Sequence, residues 1–304
     1  MAALPQTQSR TAAAIEAAWA DAQEVHHDAT LRCSSIGKDC DRELWMAFRW
    51  AREPERFEGR ILRLFETGNI EEDRIVADLE RIGCTVLALD PATGEQFEVA
   101  FLSGHLTGHT DGEVIGVLEA PKTWHLLEAK SHNEKSFADL VRKKVQTSKP
   151  VHYAQMQIYM HGRSLTRALY VAVNKNTDEI YTERVEYDIE FCLRLLARAE
   201  RIINAKNPPS ICAWCPPWCK AKEAAWAPRN CRTCLSSTPM LDGDARWWCA
   251  KWKGEIPLDF QKVGCWEHRF IPSLVPGEQV DADGRRITYR MADGSQWVDG
   301  GPNA

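Results

Sequence analysis

The sequence has 304 residues, of which 44% are hydrophobic and 27% are charged, a composition typical of a globular protein with room for one or two domains. Its formal net charge of -5 excludes a uniformly basic surface, so any contact with nucleic acid requires a local basic patch. No apolar run reaches the roughly 18 residues of a membrane span, and the alanine-rich start lacks a basic leader, so we expect a cytoplasmic protein.

The first predicted elements are helices. Apolar residues that recur at three- and four-residue spacing predict helices at residues 9–28, at about 40–51 and at 55–83. Gly68 lies inside the third of these, where a glycine lowers helix stability. We therefore expect a break or a close approach of another segment at Gly68.

The apolar pattern then changes to the alternation of strands. Strands are predicted at 85–89, 96–101, 106–115 and 124–129. A helix at 134–146 and another from about residue 152 are followed by strands at 168–173 and 179–187 and a helix at 189–205. This order of elements predicts an α/β fold in which helices flank a central sheet.

Composition divides the chain into four predicted parts. Pro208-Pro209 marks a boundary, beyond which cysteine and tryptophan become frequent, and Asp-Gly turn signals at 283–284 and 293–294 predict a terminal hairpin. We expect an N-terminal helix in 1–30, the α/β core in 31–207, a small cysteine-rich metal-binding module in 208–271 and a hairpin tail in 272–304.

Three charged residues on two neighbouring predicted strands carry the main functional signal. Asp111 lies in one of them, and seventeen residues later Glu128-Ala129-Lys130 ends the next. Strand alternation places Glu128 and Lys130 on one face and Ala129 on the other. Carboxylates that bind a divalent cation and a lysine that positions water are what phosphodiester hydrolysis requires. The alternative is a turn acid beside a surface ion pair.

At these residues the sequence resembles the PD-(D/E)XK nuclease superfamily, and within it the RecB-like branch of CRISPR-adaptation iron-sulfur nucleases and lambda-type phage exonucleases. The resemblance covers roughly residues 34–219 and consists of four motifs in the family's order. They are Ser35 to Trp45, Gly68-x-x-x-Glu72, Asp111 with Glu128-x-Lys130, and Gln155-x-x-x-Tyr159. The sequence departs from the family pattern at Thr110, which stands where the family has a nominal proline.

The resemblance implies a restriction-endonuclease-like core, with a central mixed sheet flanked by helices, and a role for each motif. It makes Glu72, Asp111 and Glu128 the ligands of Mg²⁺ or Mn²⁺, Lys130 the catalytic lysine, and Gln155 and Tyr159 contacts to DNA near the scissile phosphate.

Two neighbours of these residues leave alternatives open. Glu71 adjoins Glu72, and the sequence does not determine which of the two faces inward. His109 lies two positions from Asp111, on the same face of the predicted strand. Because Mg²⁺ prefers oxygen ligands, we predict that His109 is packed or faces substrate instead of binding the ion.

Seven of the eleven cysteines lie between residues 212 and 265, and this clustering indicates metal ligation. Disulfides are rare in the reducing compartment that we expect. One set has the ligand type and paired spacing of a structural zinc site, with His268 as a substitute ligand. This set comprises Cys231, Cys234, Cys249 and Cys265.

A second set, Cys212-x-x-Cys215-x-x-x-Cys219, supplies three thiolates and lacks a fourth. The resemblance to iron-sulfur nucleases makes Cys40 the fourth ligand of a [4Fe-4S] cluster. Zinc at the same four residues is an alternative. A further alternative is a site that pairs Cys212 and Cys215 with Cys231 and Cys234.

Together these expectations describe a Mg²⁺- or Mn²⁺-dependent deoxyribonuclease. The family likeness favours an exonuclease of phage-type recombination or DNA processing, with a single-strand-annealing or recombination protein as a partner. The rival hypothesis is a non-catalytic nucleic-acid-binding protein that keeps the nuclease fold and uses its cysteine- and tryptophan-rich module. Intact Glu128 and Lys130 favour the enzyme.

Overall fold

The computed structural model describes residues 9–211 and 226–300. Its α-helices are α1 (Arg10–Asp21), α2 (Asp41–Phe48), α3 (Gly59–Arg81), α4 (Glu134–Ser148), α5 (Pro150–Arg163), α6 (Ile189–Asn204) and α7 (Leu258–Gln261). Its strands are β1 (Leu31–Arg32), β2 (Thr85–Leu87), β3 (Glu98–Phe101), β4 (Leu106–His109), β5 (Glu113–Ile115), β6 (His125–His132), β7 (Arg167–Asn174), β8 (Ile180–Glu186), β9 (Ser237–Pro239), β10 (Trp247–Cys249), β11 (Gly254–Glu255), β12 (Gly277–Ala282), β13 (Ile287–Met291) and β14 (Gln296–Asp299).

The central sheet has five strands in the order β2-β5-β6-β7-β8. Strands β6 and β7 are parallel, and the other three neighbouring pairs are antiparallel. The chain leaves β6, forms α4 and α5, and returns as β7, which is the crossover that a parallel pair requires. The prediction of a central mixed sheet flanked by helices is confirmed.

Helices cover both faces of this sheet and bury it. On one face Ile75 and Leu79 of α3 join a buried cluster with Leu127 and Ala129 of β6. On the other face Leu126 packs in the cluster that holds most of α5. Because both faces are covered, β7 is a nearly continuous apolar run, Ala-Leu-Tyr-Val-Ala-Val, with no polar alternation.

The predicted strand at 106–115 is wrong, because the chain changes sheets inside it. Strand β4 pairs with β3 and β1 in a separate three-stranded sheet, whereas β5 belongs to the central sheet. Asp111 therefore lies in the turn between them. Gly112 in this turn has φ 137°, and a Cβ there would stand 2.7 Å from the carbonyl oxygen of Leu87. A larger residue at 112 would clash with β2 and strain the turn.

The expected break at Gly68 is also wrong. Helix α3 runs unbroken from Gly59 to Arg81, and no other atom lies within 4 Å of the position of a Cβ on Gly68. The first helix is shorter than predicted and ends at Asp21. The predicted terminal hairpin forms as part of a three-stranded antiparallel sheet, β12-β13-β14.

The C-terminal region shares a hydrophobic core with the α/β core. Trp247, Phe270 and Tyr289 belong to the same buried cluster as Trp45 and Phe48 of α2. One buried cluster thus extends across the predicted boundary between the core and the C-terminal region. The four-part division of the chain stays a prediction. No helix in residues 9–211 or 226–300 combines the length and apolar character that crossing a bilayer demands.

Candidate active site

Antiparallel pairing brings Asp111 opposite Glu128. Strands β5 and β6 pair Glu113 with Leu126 and Val114 with His125. The same register, continued two residues beyond the start of β5, sets Asp111 against Glu128. Two hydrogen bonds show that it continues: the Leu127 amide donates to the Gly112 carbonyl, and the Ala129 amide donates to Asp111 Oδ2, both at 2.9 Å.

The ammonium of Lys130 lies between the two carboxylates. Its Nζ is 2.7 Å from Glu128 Oε1 and 3.1 Å from Asp111 Oδ2, and it donates to the Ala129 carbonyl at 2.9 Å. Glu128 is fully buried, whereas 27% of the Lys130 side chain is exposed. The structure thus brings Asp111, Glu128 and Lys130 together in one pocket that opens to solvent on the lysine side.

Glu72, on α3, completes this group of charges. Burial raises the pKa of Glu72 to about 7, with Asp111 reinforcing the shift and Lys130 opposing it. Glu71 instead faces Arg74, with 3.6 Å between Oε1 and Nη1. Of the two neighbouring glutamates, Glu72 is therefore the one that interacts electrostatically with the pocket.

The pKa values of the pocket residues reflect several carboxyl groups near one lysine. Burial raises the pKa of Glu128 above its usual range, and Lys130 works in the opposite direction. Burial alone would lower the pKa of Lys130, but Glu128 and Asp111 outweigh it and raise the pKa above its usual range. The amine therefore stays charged, and its single charge is shared between two carboxylates.

Gln155 and Tyr159 both belong to the buried part of α5. Gln155 Nε2 donates to Glu128 Oε2 at 3.1 Å, so this side chain fixes the orientation of the carboxylate. Tyr159 is 2% exposed, and a Cβ on Gly108 would stand 2.6 Å from its ring and hydroxyl. The contact of these two residues with DNA stays a prediction.

His109 does not share a strand with Asp111. It is exposed at the end of β4, opposite Glu98, and the chain turns before it reaches Asp111. The expectation that strand alternation places His109 and Asp111 on one face is therefore wrong. Its packed or substrate-facing role stays a prediction.

The sequence analysis missed a polar network beside Lys130. The hydroxyl of Tyr170 lies 2.9 Å from His132 Nε2 and 2.9 Å from His152 Nδ1. Burial lowers the pKa values of both imidazoles, to about 4 for His132 and about 3 for His152. His132 could have been found from its position two residues after Lys130 on the same strand face. Tyr170 and His152 come from other elements and give no such signal.

A local basic patch follows β6. Asn133, Lys135, Ser136, Arg142 and Lys149 line a cavity of about 650 Å³ at the beginning of α4, together with Asp139, which pairs with Arg142 at 2.9 Å. The Asn133 side chain caps this helix by accepting from the Ser136 amide at 2.9 Å. Positive side chains and a helix N-terminus both favour phosphate, whereas the Asp139 carboxylate opposes it.

We call the group of Glu72, Asp111, Glu128 and Lys130 the acidic pocket, and its chemistry fits a divalent cation. Asp111 and Glu128 both contact the Lys130 ammonium, and the Glu72 carboxylate interacts electrostatically with Asp111 and Lys130. Oxygen donors of this kind are the ligands that Mg²⁺ and Mn²⁺ prefer. Within the described part of the chain, no group of three or more His, Cys, Asp or Glu side chains is already arranged to hold a metal ion. In the acidic pocket the ammonium of Lys130 takes the central position.

The structure describes all the cysteines of the predicted zinc set but only Cys40 of the predicted iron-sulfur set. Cys212, Cys215 and Cys219 lie outside the described residues. Cys40, their expected partner, precedes α2, and its Sγ accepts a hydrogen bond from the Glu43 amide at 3.3 Å. The iron-sulfur site therefore stays a prediction.

All four cysteines of the second set line one cavity of about 760 Å³. They are Cys231, Cys234, Cys249 and Cys265. His268, the predicted substitute ligand, is 3% exposed, and its Nε2 lies 3.3 Å from Thr233 Oγ1.

No family model matches the sequence, and no curated protein matches it. Among solved structures, the fold is similar to an alkaline exonuclease from Laribacter hongkongensis, at 13% identity and a TM-score of 0.42, with 61% of this chain and 90% of that chain covered. It is also similar to a phage-related exonuclease from Haemophilus somnus 129PT, at 15% identity and a TM-score of 0.30, with 58% and 92% covered. These neighbours are exonucleases, the class that the sequence motifs indicate. Because both TM-scores are low, these similarities assign no activity to this chain.

Proposed function

We propose that the protein is a Mg²⁺- or Mn²⁺-dependent deoxyribonuclease whose catalytic residues are Glu72, Asp111, Glu128 and Lys130. The observation that supports this most directly is that Asp111 and Glu128 contact the Lys130 ammonium from the β4–β5 turn and β6, while Glu72 of α3 interacts with both charges. Such a group combines ligands for a divalent cation with an ammonium that can position water, as phosphodiester hydrolysis requires.

Each side chain has a role that follows from its contacts. Asp111 is held by the Ala129 amide and Glu128 by Gln155, so both carboxylates are oriented before any ion binds. The three carboxylates would hold the ion, which when bound would polarise the scissile phosphate. Lys130, once displaced from between the carboxylates, would orient the attacking water and balance charge on the phosphate. Phosphate oxygens beyond the pocket would contact the basic patch of Lys135, Arg142 and Lys149.

The biological setting that we propose is DNA processing of the phage-recombination type. The order of the four motifs supports an exonuclease that acts on linear DNA. A single-strand-annealing or recombination protein would then bind its product. We keep Gln155 and Tyr159 as residues next to the DNA, because Gln155 touches Glu128 directly.

Digestion of end-labelled linear DNA and covalently closed circular DNA, with Mg²⁺, Mn²⁺ or a chelator, tests the proposal. We expect hydrolysis only with a divalent ion, and loss of at least about 100-fold in rate for Lys130→Ala and Asp111→Asn. Lys122→Ala is the matched control, since Lys122 is exposed in the connection between β5 and β6. It should retain the parental rate.

Folded Lys130→Ala or Asp111→Asn protein that digests DNA at the parental rate would refute the assignment of the site. Circular dichroism and the unfolding midpoint establish that each variant is folded. Comparison of the linear and circular substrates determines whether the enzyme needs a DNA end, and the position of the label gives its direction.

The rival function, binding without hydrolysis, has one observation in its favour. Trp252 and Trp266 are 53% and 76% exposed and lie edge to face at 5.4 Å, which leaves aromatic surface that unpaired bases could stack on. A protein of this kind would retard single-stranded DNA in a gel, lose that binding on Trp266→Ala and leave all DNA intact. The digestion experiment separates the two functions.

A further inference from the structure

The second cysteine set belongs to one compact structure in the C-terminal region. A short 3-10 helix, Cys231–Thr233, begins with the first thiol and is followed directly by Cys234, while Cys249 ends β10 and Cys265 follows α7. The four side chains line the same cavity, and Cys231 interacts electrostatically with the other three. Four thiols from separate elements that line one cavity have the donor chemistry of a tetrathiolate metal site, although they are not drawn together closely enough to hold an ion here.

Arg232 lies between the first two thiols in sequence and points into the core of the protein. It is 1% exposed, and its guanidinium donates to the carbonyl oxygens of Phe48 and Ala29 at 2.9 and 2.8 Å. The turn that presents Cys231 and Cys234 to the cavity therefore also sets a positive charge among the residues around α2.

Arg49 is a second buried cation at the same place. It is 2% exposed, and its Nη1 donates to the carbonyl oxygens of Arg232 and Ser237, which flank Cys234 in sequence. It also interacts electrostatically with the Cys234 thiol. The turn that carries Cys231 and Cys234 thus contains one buried arginine and binds the other through its backbone carbonyls.

These two positive charges have no carboxylate partner within the described residues. Arginine keeps its positive charge even inside a protein, so both buried guanidinium groups are cations. Two buried like charges without an anion are strongly unfavourable. Carbonyl oxygens and aromatic rings stabilise them in part, but they leave the net charge in place.

We propose that Cys231, Cys234, Cys249 and Cys265 bind one structural Zn²⁺ ion, and that the negative charge of this tetrathiolate centre neutralises Arg49 and Arg232. Four thiolates around one Zn²⁺ carry a net charge of -2, opposite to that of two guanidinium groups. The zinc thereby stabilises the contact between the cysteine-rich region and α2.

Binding requires the thiols to leave their present partners. Cys231 Sγ donates to the Phe260 carbonyl at 3.4 Å, and Cys265 Sγ accepts from Trp252 Nε1 at 3.4 Å. Each thiol gives its proton to solvent when it ligates the ion, so no oxidant or reductant takes part. Disulfides between the same cysteines would be neutral and would leave both arginines uncompensated.

Metal analysis of the full-length protein, purified anaerobically, is the first test. We expect that Cys249→Ser removes about one zinc per chain and that Cys192→Ser, a buried cysteine outside the cluster, removes none. Zinc retained by Cys249→Ser, zinc lost instead in Cys215→Ser, iron in place of zinc, or disulfides among the four cysteines in mass spectrometry would overturn the site.

A thermodynamic cycle tests the link to the arginines. Removal of zinc should lower the melting temperature of the parent protein by roughly 5–10 °C. The decrease should be clearly smaller in Arg49→Met, which carries one buried charge fewer, and unchanged in Arg246→Met, whose guanidinium is at the surface. Arg49→Gln replaces Arg49→Met if the latter does not fold. An equal decrease in all variants would refute charge compensation, while DNA digestion reports on the acidic pocket independently.

Discussion

The protein buries positive charge in two places and does so in two ways. Lys130 lies between Asp111 and Glu128 and is neutralised by carboxylates on neighbouring strands. Arg232 lies 3.8 Å over the ring of Trp50 and 4.7 Å from that of Trp247, and donates only to neutral oxygens. The first arrangement pairs its charge with carboxylates, whereas the second meets only neutral groups among the described residues, and we propose that zinc-bound thiolates supply its anion.

The difference separates a chemical site from a structural one. In the acidic pocket the lysine is 27% exposed, and the charges can rearrange when substrate or an ion arrives. In the arginine region, meaning Arg49, Arg232 and the residues that contact them, the guanidinium groups are enclosed by aromatic rings and backbone carbonyls, and the two side chains are 2% and 1% exposed. We therefore expect changes in the first region to affect activity above all, and changes in the second to affect stability alone.

The largest expected effect on stability comes from removing the Lys130 ammonium from the acidic pocket. Lys130→Met leaves Glu128, Asp111 and Glu72 without a cation, so unfolding in the absence of divalent ions should be easier by about 3–5 kcal/mol. Adding Glu128→Gln to Lys130→Met should restore most of this loss, because the fully buried charge is gone. Chemical denaturation of the single and double variants measures the coupling, and additive losses would contradict it.

Arg232→Met should lower the free energy of unfolding by about 3 kcal/mol, because three buried acceptors lose their donor and three aromatic rings lose a cation. Unlike the lysine variant, it should not be rescued by removing any carboxylate. Arg246→Met is the control, since that arginine makes only surface ion pairs with Asp242 and Glu255. Its unfolding midpoint should stay near that of the parent protein.

Acid should destabilise the arginine region through His105. Burial lowers the pKa of His105 to about 4, with Arg232 and Arg49 adding to the shift. The unfolded chain binds this proton at pH values near 6.5, so the stabilisation is present above that pH and is lost as pH falls towards 4. At pH 5 the loss is about 2 kcal/mol.

His105→Gln tests this prediction, since glutamine does not titrate in this range and can still donate to the Met240 carbonyl that His105 Nε2 meets at 3.0 Å. Denaturation between pH 7 and pH 5 should show a shallower loss of stability in this variant. An unchanged slope would show that His105 does not contribute.

The smallest expected effect is a gain far from both regions. Gly68→Ala should stabilise the protein by about 0.5–1 kcal/mol, because a Cβ fits the open space there and alanine favours the helix. Gly108→Ala is the contrasting variant, since its Cβ would press on Tyr159. Thermal unfolding should shift in opposite directions for the two glycines.

The sequence predicted the acidic pocket because its geometry is local. Strand alternation alone sets Glu128 and Lys130 on one face, and a single turn brings Asp111 to them. The choice between Glu71 and Glu72 depends on the rotation of α3 against the sheet, which the sequence does not determine. The change of sheet at Gly112 escaped prediction, since residues 106–115 look like one continuous strand.

The arginine region could not be predicted for the opposite reason. Arg49 and Arg232 are 183 residues apart, and neither position carries a pattern that distinguishes a buried arginine from a surface one. Cysteine spacing indicated the cluster, but nothing in that spacing pointed to the cations beside it. Contacts between distant segments become visible only in three dimensions.

The place of Lys130 between two acids also bears on how the protein matures in the cell. Because its own ammonium occupies the pocket, a newly synthesised chain can finish folding without a divalent ion. Under the proposed function, uptake of magnesium or manganese would then be a late and reversible event, and a cell with little free metal would accumulate folded, inactive protein instead of aggregates.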